Sequence, residues 1–115
     1  MSAAATDARR ATLLDQERSR RREIDELGAD PNADEVAFDA DTGFADRSHS
    51  TEERERVMTM TRSLRTNLRE VERAIGKLDD GSYGRCERCG NPIGDERLDA
   101  IPWAPLCIDC KKLVG

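Results

Sequence analysis

The chain's four cysteines stand as two close pairs, Cys86 and Cys89, then Cys107 and Cys110. The spacing C-x2-C-x17-C-x2-C reads as a tetrahedral zinc site. Two residues between cysteines let one tight turn aim both sulfurs at a single ion, and Gly90 supplies the backbone freedom such a turn needs. Four thiolates leave no open coordination position, so the reading is one structural Zn2+ and no catalytic metal. Such a site carries a formal charge of about −2, which Arg85, Arg88, Lys111 and Lys112 are placed to offset. Tyr83, Ile93, Leu98, Ile101, Trp103, Leu106 and Ile108 suffice for a small core around it, so that metal binding and folding are one event. The competing reading of the four cysteines is a pair of redox-active CxxC motifs, and a separate alternative for function is a thiol sensor that gives up zinc on oxidation.

A module this small has to be attached to something. Charged residues make up 37% of the 115 and aromatic residues 3%, too few large apolar groups to stabilise a sizeable globular core by packing alone. The preceding chain reads as helix, acidic connector, long helix. Residues from about 6 to 27 lack Pro and Gly and end at Gly28, a C′ glycine. Their apolar pattern is sparse: Leu13, Leu14, Ile24 and Leu27, with Glu17 and Arg20 at the seam positions between. Residues 28–49 contain Pro31, Gly28, Gly43 and many aspartates, and form the connector. Ser50 with Glu53 fits a capping box opening a helix of residues about 50–80 that stops at Gly81. This helix repeats Val57, Leu64, Leu68, Val71, Ile75 and Leu78 at coiled-coil spacing, broken at Thr61.

One seam requires a second. The first helix, folding back through the connector, supplies it within the same chain, and the rival is a homodimer through two copies of the second helix. The expected fold is therefore mostly α. Residues 1–80 form an antiparallel helical hairpin (a coiled coil) with an acidic tip, residues 81–115 a small C-terminal four-cysteine zinc finger, and the chain is a monomer.

Charge sharpens this picture. The net charge is −5, yet residues 1–27 and 49–115 are each balanced. All the excess lies in residues 28–48, where six acidic groups face Arg47 alone. An acidic chain without a dominant basic face does not suit phosphate-driven nucleic-acid binding, and Arg18 to Arg22 read as a solvated helix face. An EF-hand over 39–50 fails, because Phe44 stands where glycine is required and Ser50 where the bidentate glutamate should be. No apolar run suggests a signal peptide or a membrane span. The expectation is a cytoplasmic protein, where reducing conditions favour metal over disulfides.

The stretch YGRCERCGNPIGDERLDAIPWAPLCIDCK, starting at Tyr83, resembles the C4 zinc finger of the DksA/TraR family of bacterial RNA polymerase-binding regulators. The resemblance rests on Tyr83, Gly84, Cys86, Cys89, Gly90, Ile93, Arg97, Leu98, Ala100, Pro102, Cys107, Cys110 and Lys111. It implies a coiled coil that enters the secondary channel of RNA polymerase and brings acidic tip residues towards the active centre, altering open-complex stability and so transcription initiation. A helix of residues about 50–80 would reach roughly 45 Å at 1.5 Å per residue. The tip residues expected on this reading are Asp41 and Asp46, with Asp39 behind them. Of the family's tip motif D-x-x-D-x-A only Asp46 carries over, since Gly43 and Ser48 occupy the other two positions. Some members act with the alarmone ppGpp, which stays a possible partner on the resemblance alone, with nothing in the residues to support it.

Other classes fare less well. No Ser–His or Cys–His constellation, phosphate loop or open metal site marks an enzyme. A zinc ribbon that binds nucleic acid, or a thiol redox-sensing adaptor, is the alternative to a polymerase-binding transcription regulator without sequence-specific DNA contacts of its own.

Overall fold

The computed structural model describes residues 2–29 and 51–114. Four helices follow one another: α1 (Ala3–Glu26), α2 (Thr51–Asp80), α3 (Asp95–Ala100) and α4 (Ile108–Val114). Among the described residues there is no strand, only an isolated antiparallel bridge between Arg85 and Pro92. The fold is mostly α, a helical hairpin with a C-terminal four-cysteine finger. Ser50 and nearly all of the connector lie outside the described residues, and with them the capping box, Asp39, Asp41 and Asp46.

Helix ends explain where the elements stop. α1 starts earlier than its apolar pattern suggests, because the Ser2 hydroxyl accepts the Ala5 N–H at 3.1 Å and so caps the first turn. It ends in a Schellman motif: Gly28 has φ +82°, its N–H donates to Asp25 O (2.9 Å), and Ala29 N–H donates to Ile24 O (3.2 Å). The same device closes α2. Gly81 has φ +84°, and Ser82 N–H donates to Lys77 O at 3.0 Å. Only a residue without Cβ takes such a φ cheaply.

The described chain packs as two units. One comprises residues 2–17 with 69–114, the other residues 18–29 with 51–68. In the first, Leu13, Val71 and Ala74 are buried together, with Ile75, Leu78, Tyr83 and Trp103 packed around them. Arg10 pairs with Asp79 at 2.8 Å, further along α2 than Val71, so the two helices run antiparallel. In the second unit Ile24, Thr61, Arg65 and Leu68 are the buried residues.

The buried stripe of α2 departs from the apolar series read along it. Thr61 is 0% and Arg65 2% exposed, while Val57, Leu64, Ile75 and Leu78 are half-buried. Thr61 escapes the cost of a buried hydroxyl by donating to Val57 O at 2.7 Å within its own helix. Hydropathy alone passes over both positions, and over Ala74. On α1, Arg20 pairs with Glu23 one turn on, which accounts for charge where a seam residue would stand.

Candidate metal centre

Each cysteine pair sits on a turn held by backbone hydrogen bonds. At the first, Cys86 N–H donates to Asn91 O (2.9 Å) and Gly90 N–H returns to Cys86 O (3.0 Å), with Gly90 at φ +76°. The Arg88 N–H points at the Cys86 sulfur, 3.4 Å away. The second pair opens α4, where Lys111 N–H donates to Cys107 O at 2.9 Å. The two turns are joined directly, since Glu87 N–H donates to Pro105 O at 2.8 Å.

These turns bring the four sulfurs within 4.8 Å of one another. All four cysteines are free of disulfides. Cys89 Sγ and Cys107 Sγ are 3.8 Å apart, far beyond a disulfide bond. A tetrahedron of Zn–S bonds of about 2.3 Å has edges of about 3.8 Å, so the donor set fits zinc in chemistry and in size. Cys86 and Cys110 are buried, Cys107 is half-buried and Cys89 exposed.

The thiols are electrostatically unequal. Burial pushes Cys86 up, but the N–H groups of Cys89, Cys107 and Arg88 and the Cys89 thiol bring it down to about 6. Burial, reinforced by the thiols of Cys107, Cys86 and Cys89, pushes Cys110 up to about 12. Four thiolates this close repel one another unless a cation sits between them.

A small core surrounds the sulfurs. Ile93, Leu98 and Ala104 are buried with Cys86 and Cys110, and Tyr83, Ile101 and Leu106 pack against them. Two residues expected in this core are elsewhere. Trp103 packs on the cluster of Leu13, Val71 and Ala74, because the loop after α3 faces the helices. Ile108 opens α4 and is 54% exposed. Tyr83 belongs to both clusters, and its hydroxyl donates to Pro102 O at 2.7 Å.

Charged side chains brace the turns of the site. Arg85 donates to Gly90 O at 3.3 Å, bracing the first turn. The cationic partners of Glu87 in that turn come from α2: Lys77 bonds it at 2.6 Å and Arg73 at 3.2 Å through two nitrogens. Arg97 ties α3 to the second pair by donating to Leu106 O at 2.9 Å. Glu87, Arg73 and Lys77 carry no local spacing signal. Only the tertiary contacts reveal them.

Comparison with known proteins decides the relationship. The model of the prokaryotic dksA/traR C4-type zinc finger matches residues 81–113. The solved structure of transcription factor DksA2 from Pseudomonas aeruginosa aligns with 98% of this chain and 84% of its own, with TM-score 0.68 and 30% identity. The chain belongs to the DksA/TraR family. The RNA polymerase-binding transcription factor DksA of Escherichia coli (strain K12) is 48% identical over 46 residues, 40% of this chain and 30% of the relative. Its namesake in Haemophilus influenzae (strain Rd) is 41% identical over 69 residues, 60% of this chain and 48% of the relative. The chain spans less than half the length of these curated relatives. As in the family's C4 fingers, the four cysteines make a site for one structural zinc. No helix among the described residues is long and apolar enough to cross a membrane.

Proposed function

We propose that this chain is an RNA polymerase-binding transcription regulator, acting in the cytoplasm and without an enzymatic activity of its own. The observation that carries the reading is the likeness to the DksA2 transcription factor along almost the whole chain, joined to relatives named for RNA polymerase binding. In this proposal Cys86, Cys89, Cys107 and Cys110 hold the zinc, and the zinc keeps the finger folded. The hairpin enters the secondary channel, carrying the acidic segment 28–48 towards the polymerase active centre. Asp46, with Asp39 and Asp41, acts there on open-complex stability. An acidic probe suits a channel that leads to bound Mg2+ and basic side chains, where focused fields act over short distances.

The test is binding of the full chain to its cognate core RNA polymerase, with and without a competing secondary-channel factor. Displacement by the competitor supports the channel, and absence of binding at any salt concentration overturns the proposal. An Asp46→Asn variant is expected to bind like the parent and to lose its effect on transcription from a responsive promoter.

A further inference from the structure

The first half of α1 is held by the zinc finger as much as by α2. Arg9 reaches across 89 positions to grip the end of α3 twice: its Nη1 donates to Leu98 O at 2.7 Å and its Nη2 to Asp99 Oδ1 at 2.6 Å. Leu98 O is one of the last carbonyls of a short helix, left without an intrahelical partner, and a cation there also suits the helix dipole. Leu13, one turn further on, is buried with Val71 and Ala74 in the cluster against which Trp103 and Tyr83 of the finger pack. The finger, in turn, is built between the cysteine turns. α3 lies in the span between Cys89 and Cys107, and Arg97 binds it to Leu106 O next to Cys107. On the other side Glu87, between Cys86 and Cys89, is gripped by Arg73 and Lys77 of α2.

We infer that zinc occupancy controls the order of α1 segmentally: the finger, folded by zinc, holds residues 3–17 in place, and Arg9 is the residue that transmits this. The two-state element is the finger itself, whose folding is metal binding. Without zinc the carbonyl and carboxylate that Arg9 grips, and the Trp103 and Tyr83 side chains packed on the cluster that holds Leu13, lose their fixed positions. Residues 3–17 contain one fully buried apolar side chain, Leu13, and a helical segment this short is marginal without tertiary support. Residues 18–26 belong to the other unit, in which Ile24, Thr61, Arg65 and Leu68 are each buried. Metal loss therefore frees the start of α1 before its end. The inference rests on the zinc-ligand assignment and is independent of polymerase binding.

Hydrogen exchange of the full chain, read by mass spectrometry alongside zinc content, tests it. In chelator-treated protein, amides of residues 3–17 are expected to exchange at least about tenfold faster, while those of 18–26 change by less than about threefold. Arg9→Ala is the second arm, because it leaves all four cysteines and their turns intact. It is expected to keep one zinc per chain and still to speed exchange across 3–17. Unchanged protection of 3–17 on zinc removal overturns the inference, as does a loss spread evenly along α1. So does an Arg9→Ala protein as protected as the parent, or a parent that folds without bound zinc.

Discussion

Cys86 and Cys89 share one turn but not one environment: the first is buried and receives the Arg88 N–H, the second is exposed. If all four thiols serve one ion, the difference does not excuse either from the site. Replacing any one cysteine by serine is expected to weaken zinc binding by more than the roughly 10–100-fold that outer-shell changes cost, measured by chelator competition. An exposed Cys89 that is replaced without effect would break the four-ligand assignment. Tyr83 allows an independent reading of the same region, because it is the chain's one tyrosine. Burial raises its hydroxyl above the ordinary 10.0, the charge of Arg9 opposing and that of Asp99 adding to the rise. The unfolded chain then loses this proton first, so stability is intact below pH 10.0 and falls as pH rises through the folded value. Tyrosinate absorbance followed against pH, in native and denatured protein, is expected to show the native titration displaced upward. Tyr83→Phe removes the bond to Pro102 O at a cost of about 0.5–1.5 kcal/mol.

At the scale of elements, α1 depends on few contacts, which makes each one costly. Leu13→Ala is expected to destabilise the zinc-loaded protein by about 2–5 kcal/mol in denaturant unfolding, the range for a buried leucine that leaves a cavity. Glu87→Gln should cost far less, about 0.2–1 kcal/mol, since its partners Arg73 and Lys77 remain partly solvated. If the two costs were reversed, ionic rather than apolar contacts would be what holds the finger to the helices. The elements also mark how far sequence reaches. The zinc site is legible because both halves of its signal are local, two residues between cysteines and a glycine beside them. Gly28 and Gly81 are legible for the same reason, a helix end having a short-range chemical signature. Thr61 and Arg65 are not, because their burial is decided by what the facing helix presents rather than by their own hydropathy. Ser2 escapes a reading by periodicity, because an alanine run has no apolar period to announce a helix. Arg9 at Leu98, and Trp103 against the cluster that holds Leu13, join segments some 90 positions apart, and no spacing rule spans that distance.

Across the whole molecule the decisive quantity is where charge is placed. Nineteen basic residues are outnumbered by twenty-four acidic ones, and the surplus is confined to residues 28–48. Binding to DNA is driven by release of the counterions that basic groups displace, and its strength falls steeply with salt. A chain whose remaining length is charge-neutral, with arginines such as Arg10, Arg20 and Arg73 already committed to carboxylates, has little to offer a duplex. The chain alone is therefore expected to leave promoter DNA unshifted at physiological salt, with any affinity weaker than the about 10⁻⁴ M at the lower end of non-specific binders. Its effect on the promoter should emerge only when polymerase is present. Gel mobility with each component omitted in turn distinguishes the cases. A shift by the chain alone that vanishes as salt is raised would favour a nucleic-acid-binding zinc ribbon, and would move the search for its contacts from the acidic segment to the arginines of α1 and α2.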